Sequence, residues 1–203
     1  NPKATVALLN RVEEVLDIEV LLGTLPEQAE EWETTVSEMA EEDEDVKNYV
    51  KALEERGLTR IGVSAPTGSG KTTMFLELVS RLGGHGVRHA LILVNGITLA
   101  QQAAERARYM FPHMSVEMDQ GARHVASGQA DITVGTVQSL RQRLAKYDPS
   151  AFKCVIVDEA HHSTSPSYQA ILSHFHCDLS PEPVTQVRTP IIGFSATFTR
   201  HDE

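Results

Sequence analysis

Between residues 65 and 73 the chain reads Ala65-Pro66-Thr67-Gly68-Ser69-Gly70-Lys71-Thr72-Thr73. Small residues let backbone N–H groups approach phosphate oxygens. A lysine can then reach the outer phosphates, and the hydroxyl after it can hold a divalent cation. The spacing is that of a phosphate-binding loop, so Thr67, Gly68, Ser69, Gly70, Lys71, Thr72 and Thr73 form the candidate cradle for a nucleoside triphosphate. In it Lys71 faces the β- and γ-phosphates and Thr72 faces Mg2+. A plain glycine-rich turn capping a helix is the competing reading, and the strand before the loop and the helix after it tell against that.

A second group, Asp158-Glu159-Ala160-His161, follows the apolar run Cys154-Val155-Ile156-Val157. Asp158 is placed to bind Mg2+ through its hydration shell, opposite the loop. Glu159 can polarise the water that attacks the γ-phosphate. An isolated Asp-Glu pair is commonly a solvated turn. This pair ends a buried strand, which is where ligands of open α/β sheets bind.

These groups need a scaffold, and the sequence from Arg60 onward describes one. Short apolar runs at 61–64, 90–94, 132–135, 154–157 and 191–194 read as buried strands. Stretches near 71–82, 97–110, 136–146 and 167–175 read as helices between them. The alternation predicts an α/β fold with a parallel, doubly wound sheet covered on both faces. Nine histidines invite a check for zinc, but His161-His162 and His174/His176 have no cysteine partner at zinc spacing, so none is expected.

The first 57 residues differ. They hold 5 Lys/Arg against 16 Asp/Glu, whereas residues 58–203 hold 13 against 12, so the acidic excess behind the net charge of −10 lies in this segment. Such asymmetry predicts two units joined near Gly57, an acidic helical appendage over 1–57 and an α/β unit over 58–203. Asn1-Pro2 can start a first helix with Ala4, Leu8, Val12, Val15 and Leu16 on one face. Gly23 and Pro26 break it, and Thr24 with Glu27 offers a capping box for a second helix with Ala29, Trp32, Val36, Met39 and Ala40 inward. Val46, Tyr49, Val50 and Leu53 form a third stripe after the acidic run 41–45. Three thin stripes imply packing on something else. The acidic run reads as a solvated helix start in preference to a nucleic-acid mimic, and Trp32 as core in preference to an interface anchor.

The 203 residues are 41% hydrophobic and 23% charged, a globular balance. No apolar stretch approaches the roughly 18 residues of a membrane span, and the first residues lack a secretory pattern. Two cysteines make no disulfide framework and point to a reducing, intracellular compartment with no membrane partner.

Ser195-Ala196-Thr197 follows the last apolar strand. In third place after the two motifs above, it resembles motif III of superfamily-two helicases, where hydroxyls link the nucleotide site to the nucleic-acid path. Residues 58–203 accordingly resemble the first RecA-like domain of a DEAH-type superfamily-two helicase, above all the fungal mitochondrial double-stranded-DNA helicases of branch-migration type. The resemblance is carried by Arg60-Ile61-Gly62-Val63-Ser64, Asp158-Glu159-Ala160-His161-His162, Ile171-Leu172-Ser173-His174-Phe175-His176 and the stretch from Gly193 through Ser195-Ala196-Thr197 to Asp202.

It implies ATP with Mg2+ as cofactors, Lys71, Asp158 and Glu159 as catalytic residues, and Thr72 and Asp158 at the metal. It further implies a coupling role for His161, Ser195 and Thr197, with His161 bonding across to the motif III hydroxyls. By the same resemblance, residues 93–102 and 134–140 are backbone-contacting motifs, with Gln102, Thr136 and Gln138 at the nucleic acid. The implied partners are double-stranded or branched DNA and a second RecA-like domain, the implied location mitochondrial. That second domain carries the arginine fingers and is expected to be absent here, which leaves this chain a weak ATPase. A balance of +1 over 58–203 gives no basic stripe for strong salt-linked binding. Two departures stand out. Asn95-Gly96 replaces the family's frequent basic pair, and residues 40–57 contain no Gln where the family has an aromatic/Gln adenine-reading motif.

Residues 1–57 resemble the C-terminal helical tail of actinobacterial PAC2-like proteasome assembly chaperone proteins. The matching features are the Pro2-Lys3-Ala4-Thr5 opening, the stretch Leu25-Pro26-Glu27-Gln28-Ala29-Glu30-Glu31-Trp32-Glu33, and Asp45-Val46 with Tyr49-Val50. A protein partner for this segment follows from the likeness. The leading expectation is the ATP-binding half of a superfamily-two DNA helicase. The alternatives are an interaction module whose acidic helices act on an inactive phosphate-loop scaffold, a chimeric or designed chain, and a small-molecule kinase, which would need an acceptor lid.

Overall fold

The computed structural model describes residues 5–7, 44–65, 69–83, 87–177 and 189–196. The helices expected within 8–40, Trp32 among their residues, lie outside these ranges, as do Thr67, Gly68 and Thr197.

Seven strands form one sheet: β1 (Thr5–Ala7), β2 (Arg60–Ser64), β3 (His89–Val94), β4 (Val116–Asp119), β5 (Ile132–Thr136), β6 (Phe152–Asp158) and β7 (Ile191–Ser195). Their order across the sheet is β1-β2-β7-β6-β3-β5-β4. All neighbours run parallel except β1, which lies antiparallel against β2 with Thr5 opposite Ser64. Among the described residues five α-helices accompany them: α1 (Glu44–Glu54), α2 (Lys71–Arg81), α3 (Ile97–Met110), α4 (Val137–Arg143) and α5 (Pro166–His174).

The parallel sheet has the expected architecture. Alternate residues of each central strand serve opposite faces. Ala90, Ile92, Cys154 and Ile156 join a core with Val46, Tyr49, Phe75, Leu78 and Ala103 from α1, α2 and α3. Leu91, Leu93, Val155 and Val157 join a second core with Leu140 from α4 and Ile171 and Leu172 from α5. Burial on both faces explains why these strands read as continuous apolar runs. Buried Cys154 is a core residue whose thiol burial pushes up to about 12, which makes it inert.

The start of the chain needs a correction. A first helix was expected across residues 5–7, yet they form an edge strand. Thr5 and Val6 are β-branched, and the open edge of β2 offers them backbone partners. β4 was also not anticipated; only Val116 and Met118 are apolar in it, and it lies at the other edge. The stripe Val46, Tyr49, Leu53 does form a helix, α1, which packs on α2 and closes one face of the core. Its last residue, Glu54, accepts from the Gly83 N–H through Oε1 at 2.5 Å.

Candidate nucleotide-binding site

Because β2, β6 and β7 are parallel neighbours, their carboxyl ends share one edge. Ser64 pairs with Ser195, and Asp158 with Phe194. The N–H of Ala65 donates to the Ser195 carbonyl at 2.9 Å and ties the start of the loop to the end of β7. Gly70 then caps α2 with φ 72° and ψ 17°, a left-handed conformation that glycine adopts without strain. Its carbonyl accepts from Met74 N–H at 3.0 Å, so α2 begins at Lys71. The first turn of α2 carries no acidic residue, which leaves its positive end available to an anion.

Lys71 Nζ lies 3.3 Å from Glu159 Oε1. Asp158, the last residue of β6, accepts from the Glu159 N–H through Oδ1 at 3.0 Å. Burial pushes the Asp158 carboxyl above the ordinary carboxylate range; Lys71 opposes this and Glu159 adds to it. Glu159 holds φ 53° and ψ 52°, a left-handed conformation costing a side-chain-bearing residue roughly 1–2 kcal/mol. The turn lets its carboxylate meet two partners, since His161 Nδ1 lies 3.3 Å from Glu159 Oε2. The same His161 Nδ1 is 3.0 Å from Ser195 Oγ. Lys71, Glu159, His161 and Ser195 therefore form a continuous polar chain from α2 to the end of β7.

The residues present fit a Mg-nucleotide. Ser69, within the loop, is fully buried and its hydroxyl has no hydrogen-bond partner among the described residues, a state that buried polar atoms avoid unless a ligand satisfies them. The Asp158 carboxylate and the Thr72 hydroxyl are hard oxygen donors of the kind Mg2+ takes. Among the described residues no three His, Cys, Asp or Glu side chains converge as a self-contained metal site.

The candidate nucleic-acid residues are distributed differently. Gln102 on α3 and Gln138 on α4 are exposed. Thr136 ends β5 at the same sheet edge but is buried, and its hydroxyl donates to Ser139 Oγ at 3.0 Å. Ser139 Oγ also accepts from Gly121 N–H at 2.7 Å. Beside it, fully buried Asp119 accepts from Arg143 and from the Tyr147 hydroxyl, the latter at 2.5 Å. Arg143 also donates to the Gly121 carbonyl. Sequence reading missed this cluster; its one signal was a carboxylate ending the alternation Val116-Glu117-Met118-Asp119. It also missed Arg106, whose Nη2 donates to Thr73 Oγ1 at 3.3 Å.

Known proteins resemble this chain over most of its length. The family described as type III restriction enzyme, res subunit, matches residues 25–200, and the PAC2 family matches residues 1–40. The protein named ATP-dependent helicase IRC3 of Saccharomyces cerevisiae is 39% identical over 154 residues, which are 73% of this chain and 22% of that protein. The mitochondrial ATP-dependent helicase irc3 of Schizosaccharomyces pombe is 42% identical over 151 residues, 73% of this chain and 24% of the relative. The chain thus spans less than a quarter of the length of either. Among solved structures, the UvsW helicase of bacteriophage T4 aligns with TM-score 0.52 at 22% identity, covering 73% of this chain and 51% of that one. A DEAD box protein of Methanococcus jannaschii aligns with TM-score 0.53 at 24% identity, covering 66% and 38%. At such identities the structural likeness concerns the fold alone, which is RecA-like. The match over residues 25–200 makes the chain a member of the type III restriction enzyme, res subunit, family.

Proposed function

We propose that this chain is the ATP-binding half of a superfamily-two helicase. It binds Mg-ATP and, joined to a second RecA-like domain, couples hydrolysis to movement on nucleic acid. The observation that carries this reading is the 3.3 Å approach of Lys71 Nζ to Glu159 Oε1, across 88 residues of sequence. Lys71 neutralises the outer phosphates, while Ser69, Gly70, Thr72 and Thr73, with Thr67 and Gly68 before them, cradle the chain of phosphates. Thr72 and Asp158 hold Mg2+, which when bound supplies positive charge to the phosphate oxygens. Glu159 orients and deprotonates the attacking water. His161 bridges Glu159 to Ser195, so a change at the γ-phosphate position can reach the end of β7, with Thr197 next along the chain.

The two yeast relatives are named ATP-dependent helicases, which supports ATP as the nucleotide. One of them is named mitochondrial, which supports that location for this chain. Double-stranded or branched DNA is the partner favoured by the likeness to branch-migration helicases, with exposed Gln102 and Gln138 at its backbone and with Thr136, buried and donating to Ser139, supporting them from the end of β5 without touching the DNA. In this reading the ATP-binding unit is 58–203 with β1 and α1 packed onto it, and a protein partner attaches to the acidic segment 1–57 outside those two elements. The inactive-scaffold alternative is not favoured, because a scaffold would have no use for a strained Glu159 facing the loop lysine. The test is steady-state ATPase of the chain with and without branched DNA, set against Glu159→Gln. Nucleotide binding with hydrolysis lost in the variant supports the proposal, and hydrolysis equal in both contradicts it.

A further inference from the structure

Tyr168, in the first turn of α5, is 3% exposed, and its hydroxyl has no hydrogen-bond partner among the described residues. A buried donor without an acceptor is a cost that folded chains avoid, and phenylalanine would fill the same space without it. The ring belongs to the second core together with Val157 and Ala160, the residues on either side of Asp158 and Glu159 in sequence. Two hydrogen bonds hold the turn that carries it. Gln169 Nε2 donates to the Ser163 carbonyl at 2.7 Å, just beyond the short turn Ala160–His162. Arg141 Nη1 donates to Ser167 Oγ at 3.2 Å. The start of α5 is therefore tethered to the segment that follows the two carboxylates. Burial pushes the Tyr168 hydroxyl up to about 12, and the charges of Asp158 and then Glu159 add to that, so both carboxylates act on it.

Asp158 is short of what Tyr168 can give. Among the described residues its carboxylate receives one hydrogen bond, from the Glu159 N–H on Oδ1. Its burial opposes the charged form that a divalent cation requires. Glu159, by contrast, already meets Lys71 and His161. We propose that Tyr168 is a positioning residue for this site: when Mg-nucleotide binds, its hydroxyl donates to the Asp158 carboxylate and fixes it toward Mg2+. This rests on the nucleotide-binding reading above and deepens it by naming a residue that acts through Asp158. Phosphate binding takes Lys71 from Glu159, one of two side-chain tethers on that left-handed turn. The turn then brings Asp158 onto the unused hydroxyl. The hydroxyl thus adds to Mg-nucleotide affinity and adds nothing to the stability of the nucleotide-free chain.

The test sets Tyr168→Phe, which removes the hydroxyl and keeps the ring, against the wild-type chain in two measurements. The first is a thermal melt without nucleotide, where the Phe variant should melt at the wild-type temperature or above it. The second is titration of ATP with excess Mg2+ and again in EDTA. With Mg2+ the variant should bind about 3- to 30-fold more weakly, whereas in EDTA the two chains should agree within about twofold. A Phe variant that melts below the wild type would show that the hydroxyl is already bonded in the empty chain, and would overturn the proposal. Equal loss of ATP affinity with and without Mg2+, or no loss in either, would overturn it as well. A wild-type chain that binds no ATP with Mg2+ would instead overturn the nucleotide-binding reading itself.

Discussion

Lys71 and Glu159 share an ion pair at 3.3 Å, with the lysine side chain 11% exposed and the glutamate 31%. The glutamate thus occupies the lysine that a γ-phosphate would otherwise engage. In the proposed function the same residue orients the attacking water, so phosphate binding at Lys71 would release Glu159 for that role. His161 Nδ1 lies 3.3 Å from the other carboxylate oxygen.

Removing that competitor has a predictable sign. Glu159→Gln should bind triphosphate about two- to fivefold more tightly, because a partly exposed ion pair contributes at most about 1 kcal/mol. Hydrolysis should fall about 10²–10⁴-fold with the base removed. Nucleotide titration and single-turnover hydrolysis measure the two effects separately. Weaker binding by the Gln variant would show that the pair does not compete with phosphate.

Asp158 carries a raised carboxyl pKa caused first by burial. Its ionised form is disfavoured in the folded chain, so it destabilises the fold at pH values above its folded pKa. That penalty fades as pH falls and is gone below the unfolded pKa of about 3.9. Asp158→Asn should therefore raise unfolding stability by about 0.5–1 kcal/mol at pH 7 and leave it unchanged near pH 3. The same variant should lose Mg2+-dependent nucleotide affinity. Denaturant melts at the two pH values decide this, and a less stable variant at pH 7 would refute it.

Gly135 sits on β5 directly beneath Leu140 of α4. A Cβ there would lie 2.2 Å from Leu140 Cδ1, and Leu140 is fully buried. Gly135→Ala should cost about 1–3 kcal/mol by overpacking. Adding Leu140→Ala should recover part of that loss, a non-additive result that a double-mutant cycle reads directly.

The Asp119 cluster yields a contrast between two variants. Tyr147→Phe removes one hydrogen bond to the buried carboxylate and should cost about 1 kcal/mol. Asp119→Ala strands Arg143 and should cost about 3–5 kcal/mol. Among the described residues neither is hydrogen-bonded to the loop, so triphosphate affinity of the folded variants should stay within about twofold, as titration below the melting temperature would show.

Much of the fold was legible because the central strands are buried on both faces. Residues 90–94 and 154–157 cannot be other than interior in a chain of this composition, and the stretches between them have helical length. The edges were less legible. Thr5-Val6-Ala7 fits the face of a helix as well as a strand, and only the open edge of β2 decides it. Val116–Asp119 carries two apolar residues, too few to stand out. At the site, motif spacing identified which residues to compare, but not the left-handed backbone of Glu159, which no residue type announces. Nor could it show that the Thr136 hydroxyl is spent on Ser139, because that depends on how tightly α4 folds back over β5.

The central claim is that residues 65–73 bind the phosphates of a nucleotide through Lys71. It is tested most directly by titrating Mg-ATP into the wild-type chain and into Lys71→Ala, with folding of both checked by circular dichroism. The wild type should bind saturably, and the variant should show no measurable binding, since among the described residues no second cation is paired with Glu159 Oε1. Equal affinity in a folded Lys71→Ala chain would contradict the account.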